Sequence, residues 1–216
     1  MNKTDLKLYA ITDRQWLHGE RLSEHVKLAI EGGATMIQIR DKDILSTDSD
    51  AGLKDEYQEA LEIKRICHEH KVPLIINDNV QFAIDIDADG VHLGQDDMNP
   101  AEARKLLGTD KIIGVTAKTV EQAKKAEADG ADYLGSGAVF GSTTKLNAKP
   151  MTKELLREIT AAVDIPVVAI GGINADNAAT LKGTGIAGIA VVGAIFASAD
   201  IKAAAKELTE ICDRML

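Results

Sequence analysis

One repeated alternation constrains the fold more than anything else in this chain: eight short aliphatic runs alternate with eight helical patterns. The runs cover residues 6–13, 36–40, 73–78, 90–95, 111–117, 133–139, 166–172 and 188–196. Amphipathic stretches between or after them include 22–31, 56–70, 120–129, 153–162 and 201–215. Strands that alternate with helices of about 10 to 15 residues form βαβ units and a parallel sheet. Eight such units favour closure into a barrel over an open, doubly wound sheet. The predicted fold is therefore α/β, a single (β/α)₈ TIM barrel spanning residues 1–216. The length of 216 residues suits this, because such barrels run to about 200–250 residues as one domain. Aromatic residues are only 3% of the chain, so Ile, Val, Leu and Ala must build the core. Parallel strands covered on both faces have that aliphatic character.

A recurring phrase supports the repeat. Gly32-Gly33-Ala34, Asp89-Gly90, Asp129-Gly130-Ala131-Asp132 and Gly185-Ile186-Ala187-Gly188 each precede a strand. Glycine there is expected to supply the positive φ that ends a helix before the next strand. Residues 44–55 are polar and read as a mobile loop after the second strand. No linker or low-complexity segment divides the chain.

Several function classes are disfavoured. The formal net charge is −9 and no Lys/Arg cluster stands out, whereas nucleic-acid binders carry a basic patch. No uninterrupted apolar run approaches the ~20 residues of a membrane span. Residues 1–6 lack the apolar segment of a secretory leader, so the expected location is the cytoplasm. Cys67 and Cys212 form no C-x-x-C or zinc-site spacing and read as two reduced, buried thiols. The sequence leaves the oligomeric state open, a homo-oligomer included.

In a TIM barrel the chemistry sits at the C-terminal ends of the strands, and here those ends are polar. The second run closes on Gln38-Ile39-Arg40-Asp41-Lys42, where alternation puts Gln38 and Arg40 on one side and Lys42 in the same series. A Gln inside an apolar strand needs hydrogen-bond partners. The third run ends Asn77-Asp78-Asn79 and the fourth runs on to Asp96-Asp97. Either carboxylate could cap the helix that follows it. Together they suit Mg²⁺, which takes one or two carboxylates plus waters and substrate phosphate oxygens. His92, inside an apolar run, reads as a core imidazole rather than a ligand. The fifth run leads to Thr116 and Lys118, and the sixth to Ser142-Thr143-Thr144-Lys145. Gly171-Gly172 and Val192-Gly193 follow the last two runs, where backbone N–H groups commonly bind phosphate in this fold. Two anion sites are implied, one cationic and metal-assisted, the other built on backbone.

Taken in order along nearly the whole chain, these phrases resemble the thiamine phosphate synthase family. They are Tyr9-Ala10-Ile11-Thr12-Asp13, Gln38-Ile39-Arg40-Asp41-Lys42, Ile76-Asn77-Asp78, the segment from Asp89 to Asp97, Thr143-Thr144-Lys145 and Ile170-Gly171-Gly172-Ile173. The resemblance implies a transferase of thiamine biosynthesis. It joins a hydroxymethylpyrimidine diphosphate to a thiazole phosphate, or its carboxylate, and releases pyrophosphate. It further implies that Gln38, Ile39, Arg40, Asp41, Lys42, Asn77, Thr116 and Lys145 contact the pyrimidine diphosphate, with Arg40, Lys42 and Lys145 catalytic. Asp78 and Asp97 are implied as Mg²⁺ ligands. Ser142, Thr143, Thr144, Gly172, Val192 and Gly193 are implied at the thiazole phosphate. The chain departs from the family's usual residues with Thr116 for Ser, Lys118 for His, Ala138 for Pro, Ser142 for Thr and Gly193 for Ser.

The reaction so implied is a dissociative substitution in which the thiazole nitrogen attacks with its own lone pair. No proton has to be removed from it, and the sequence shows no evident Ser/His/Asp or Cys/His arrangement. Catalysis then rests on positioning and charge neutralisation, aided by closure of the loops after the second and sixth strands. Two alternatives keep the fold: a thiazole tautomerase-like isomerase, which has no use for a diphosphate clamp, and a non-catalytic barrel that binds thiazole or thiamine phosphate.

Overall fold

Each strand of the barrel is only four or five residues long. In order they are β1 (Leu8–Ile11), β2 (Met36–Ile39), β3 (Leu74–Asn77), β4 (Gly90–Leu93), β5 (Ile112–Thr116), β6 (Tyr133–Gly137), β7 (Val167–Ile170) and β8 (Gly188–Val191). All neighbours pair in parallel, and β8 returns to β1 through Leu8↔Ile189 and Ala10↔Val191. The predicted closed barrel is thus observed. The computed structural model describes residues 1–40, 50–141 and 150–216, and for 50–54 the backbone alone.

The helices are α1 (Leu22–Glu31), α2 (Asp50–His70), α3 (Val80–Asp85), α4 (Pro100–Leu107), α5 (Val120–Ala128), α6 (Lys153–Ala161), α7 (Gly193–Phe196) and α8 (Ile201–Met215). Between β7 and β8 the cover is a 3₁₀ turn, Ala178–Leu181. Three expectations need correction. The eighth aliphatic run is not all strand, because its last four residues form α7; a short apolar run does not by its periodicity distinguish strand from helix. Residues 50–55 belong to α2 rather than to a loop, while 44–49 lie outside the described residues. Gly33, Gly130 and Gly185 take the positive φ expected of them, but Gly90 does not. A side chain at Gly90 would instead meet the Ile112 carbonyl oxygen at 2.1 Å.

Strand alternation divides the apolar residues into two cores. Leu6, Tyr9, Ile11, Met36, Ile75, Ile112, Tyr133 and Val168 fill the inside of the barrel. Leu8, Ala10, Ile37, Ile39, Leu74 and Ile76 face outward and pack under the helices. The last helix, α8, is capped by the Asp200 side chain on the Ala203 N–H and buries Leu208, Ile211, Cys212 and Met215. Cys67 and Cys212 are both free and buried, and burial pushes their thiols up to about 12 and about 11. Among the described residues no helix is long and apolar enough to cross a membrane.

Candidate functional site

The mouth of the barrel between β3 and β4 holds the two acidic residues singled out from the sequence. Ladder pairing continues one residue past β3, where the Asp78 N–H donates to the His92 carbonyl at 2.9 Å. At Asp78 the backbone turns into the left-handed region, with φ +61°, a conformation that Asp and Asn tolerate better than most residues. Asp78 does not cap the next helix. Asn79 does so, its Oδ1 accepting from the Phe82 N–H at 2.9 Å. The same division holds after β4. Asn99 caps α4 by accepting from the Ala101 N–H, with Pro100 in the first helical turn. Asp97 instead accepts from the Gly94 N–H at 2.6 Å.

Both carboxylates are solvent-exposed and stand within hydrogen-bonding reach of each other. Partial burial and the proximity of Asp97 raise the Asp78 carboxyl to about 6, while the Asn77 side chain and the Arg40 charge act in the opposite sense. Asn77 donates to Asp78 Oδ2 at 2.6 Å. Two carboxylates that repel one another and do no capping are a donor set suited to a hard divalent cation. Among the described residues no third His, Cys, Asp or Glu joins them. Mg²⁺, which keeps several coordination positions for water and phosphate oxygens, fits that number.

Below this pair the barrel interior carries a continuous polar chain. Gln38 is buried, and its Nε2 donates to Tyr9 Oη at 2.5 Å. Tyr9 Oη lies 2.9 Å from Tyr133 Oη, which lies 3.0 Å from His92 Nδ1. The other imidazole nitrogen, Nε2, is 3.0 Å from Thr116 Oγ1. Burial holds His92 down to about 4, against a weaker upward pull from Asp97, so the ring is neutral at physiological pH. Burial raises both phenols. Gln38 therefore has the partners its position demanded, and the core imidazole reading of His92 agrees with this geometry. Tyr9 and Tyr133 were not legible as site residues. The available signal was composition: two of only three tyrosines fall within strand runs, and a buried phenol requires a partner.

Across the mouth, the loops after β6 and β7 run side by side. The Val139 N–H donates to the Ile170 carbonyl and the Phe140 N–H to the Gly171 carbonyl, each at 3.0 Å. Gly171 and Gly172 both have positive φ, and the Asn177 side chain donates to the Gly172 carbonyl at 2.8 Å. Val192 is the residue before α7, and Gly193 is its exposed first residue. The first N–H groups of a helix lack intrahelical acceptors and face outward.

Gln38, Arg40, Asn77, Asp78, Asp97 and Thr116 thus gather at the β2–β5 end of the mouth, with Gly172, Val192 and Gly193 just past the ends of β7 and β8. Ile39 is the exception among the described residues, since it belongs to the outer core beneath the helices. A contact from Ile39 to a ligand at the mouth would have to come from its backbone. Asp41, Lys42, Ser142, Thr143, Thr144 and Lys145 lie outside the described residues, as does the rest of 41–49 and 142–149 in the two loops expected to close.

Comparison with known proteins identifies the family. The family model described as thiamine monophosphate synthase matches residues 8–195, and the chain belongs to that family. It is 49% identical over 210 residues to the thiamine-phosphate synthase of Ruminiclostridium cellulolyticum, covering 97% of each chain. Against the thiamine-phosphate synthase of Clostridium tetani it is 46% identical over 205 residues, covering 95% of each. The solved structure of thiamine phosphate pyrophosphorylase from Pyrococcus furiosus superimposes with a TM-score of 0.87 at 39% identity, covering 99% of this chain and 98% of the other.

Proposed function

From this family membership, we propose that the chain is a transferase that makes thiamine phosphate from a hydroxymethylpyrimidine diphosphate and a thiazole phosphate, acting on small molecules in the cytoplasm. The observation that carries the reading is the Asp78–Asp97 pair, free of capping duty and beside Arg40, set opposite the Gly172 and Gly193 backbone that follows β7 and β8. One half of the mouth suits a diphosphate held with a cation, and the other suits a monophosphate. An isomerase acting on the thiazole alone would leave the first half without a purpose.

Asp78 and Asp97 would hold Mg²⁺, which supplies positive charge to the departing pyrophosphate. In the reaction, the bond between the pyrimidine methylene carbon and the diphosphate oxygen breaks, and its electron pair leaves with the oxygen. The thiazole nitrogen lone pair then forms the new carbon–nitrogen bond. Arg40, together with Lys42 and Lys145 from the sequence, stabilises the leaving charge. Gln38, Asn77 and Thr116 orient the pyrimidine diphosphate, and the backbone at Gly172 and Gly193 anchors the nucleophile through its phosphate. An ion pair at 4 Å is worth about 1 kcal/mol in water and several times that at lower effective dielectric. Water exclusion at the mouth therefore strengthens every one of these contacts.

The test is a coupling assay with both substrates, with and without Mg²⁺, that measures thiamine phosphate and pyrophosphate together. Equimolar products that depend on the metal are expected. Absence of product at saturating substrates would remove the synthase reading.

A further inference from the structure

The interior chain has a direction, and that direction decides which hydrogen-bonding face each of its ends shows to a ligand. We propose that Tyr9, Tyr133 and His92 are positioning residues. They lock Gln38 into presenting its carbonyl oxygen, and Thr116 into presenting its hydroxyl proton, at the barrel mouth. The inference deepens the proposed function and rests on it for the identity of the ligand, but the direction itself is a property of the free protein.

The argument is a count of protons. Each link has one hydrogen between two heavy atoms: Gln38 Nε2 to Tyr9 Oη at 2.5 Å, Tyr9 to Tyr133 at 2.9 Å, Tyr133 to His92 Nδ1 at 3.0 Å, and His92 Nε2 to Thr116 Oγ1 at 3.0 Å. With the amide nitrogen of Gln38 on Tyr9, the Tyr9 proton goes to Tyr133. The Tyr133 proton then goes to His92 Nδ1, which has to be bare. A ring whose Nδ1 accepts has its one proton on Nε2, and that proton is donated to Thr116 Oγ1. The Thr116 hydroxyl proton is left over and points away from the chain. Turning the Gln38 amide over reverses every link. A mixed arrangement would leave two protons, or two lone pairs, facing each other in a buried place, and such groups are costly to leave unpaired. The two complete directions are therefore alternatives without intermediates.

Room for the chain is built into the neighbouring strands. A Cβ at Gly114 would fall 2.1 Å from Tyr133 Cζ, and one at Gly135 would fall 3.0 Å from His92 Cε1. Gly114 pairs with both His92 and Tyr133 in the barrel register. The strand between the two rings gives up its side chain there so that they can meet inside. An outward carbonyl on Gln38 accepts from an amino group, and an outward proton on Thr116 donates to an anionic oxygen. An aminopyrimidine carrying a diphosphate has both.

The first measurement is ¹⁵N NMR of the histidine side chains in the free protein at neutral pH. His92 is expected with its proton on Nε2 alone; a proton on Nδ1, or on both nitrogens, would overturn the proposal whatever the enzyme's activity. The second measurement uses the near-isosteric Tyr133→Phe, with Tyr9→Phe as an independent break in case the first fails to fold. Either is expected to raise KM for the pyrimidine diphosphate about tenfold while leaving KM for the thiazole phosphate unchanged. Tyr133→Phe should also remove the Nε2 preference of His92. Thr116→Val, which removes the hydroxyl at the far end of the chain, is expected to raise the same KM and leave the KM for the thiazole phosphate unchanged. Equal changes in both KM values, or no change in either, would show the chain to be structural only. A chain with the predicted tautomer but no synthase activity would retain the direction and lose the ligand.

Discussion

Asp78 and Asp97 face each other at the ends of β3 and β4, and each has an asparagine close behind it that takes over the helix cap it would otherwise provide. Asn79 and Asn99 release the two carboxylates for another task, and the cost is repulsion between like charges.

Partial burial of Asp78, with that repulsion added to it, gives the first prediction a definite sign. The Asp78 carboxyl titrates at about 6 in the folded protein, and close to 4 in an unfolded chain. Between these values the native state holds the extra proton, so stability is greatest below the window and falls as pH rises through it. Asp78→Asn removes this slope and places Asn, which favours the left-handed region, at φ +61°. The metal-free variant is expected to be more stable than the parent at pH 7.5 by about 0.5–1 kcal/mol, a figure reduced for solvent screening. The gap should shrink at pH 4. Mg²⁺ should raise the melting temperature of the parent only, and turnover of the variant should fall by about 10²–10³-fold. Equal melting temperatures at both pH values, with turnover retained, would refute the pairing.

Much of the barrel was legible because every strand is buried on both faces and therefore reads as an aliphatic run. The alternation that turned Gln38 away from the aliphatic outer core also held, since Gln38 sits in the interior polar chain while Ile37 and Ile39 pack under the helices. What the sequence could not carry was aim and distance. In Asn77-Asp78-Asn79 all three residues are able caps, and only the positive φ at Asp78 decides which one turns toward Asp97. Tyr9 and Tyr133 are 124 residues apart and meet only because the barrel closes. The space left by Gly114 and Gly135 has no visible purpose in the sequence until the rings of Tyr133 and His92 are in place.

A second prediction concerns Gly193, where the resemblance read from the sequence implies a Ser. As the first residue of α7 its backbone is helical, and an added Cβ would meet only Ala197 Cβ, at an ordinary 3.8 Å. Gly193→Ser is expected to change stability by no more than about 0.5 kcal/mol. Its hydroxyl adds one donor toward a bound phosphate, and a hydrogen bond of about 1 kcal/mol corresponds to a several-fold lower KM for the thiazole phosphate. An unchanged KM, with the melting temperature preserved, would place the phosphate away from α7.

The start of α1 supplies a third. Its N-cap residue, Arg21, makes no side-chain cap. Glu59 of α2 does so from outside, accepting from the Leu22 N–H at 2.8 Å while its other oxygen takes Arg14 at 2.9 Å. Glu59→Ala orphans the N–H and breaks the ion pair, and is expected to cost about 2–4 kcal/mol in denaturant unfolding. Glu59→Gln keeps an acceptor for Leu22 and should cost about half as much. If Gln proves as damaging as Ala, the charge on Arg14 outweighs the cap.

The barrel interior yields the last prediction, because Gly114 is required by a neighbour's ring rather than by its own backbone. A methyl group there would lie 2.1 Å from Tyr133 Cζ and 2.3 Å from its hydroxyl oxygen. The ring has no free side to retreat to, since it packs edge-on to Tyr9 with centroids 5.9 Å apart and is held by His92 at 3.0 Å. Gly114→Ala is therefore expected to destabilise the protein by about 1–3 kcal/mol, the usual cost of overpacking. Because the clash is with one side chain, shortening that side chain should relieve it. In a Tyr133→Leu background the same alanine should cost at least about 1 kcal/mol less, a coupling that a double-mutant cycle by urea unfolding measures directly. Additive effects would mean that Gly114 serves strand pairing rather than the space beside Tyr133.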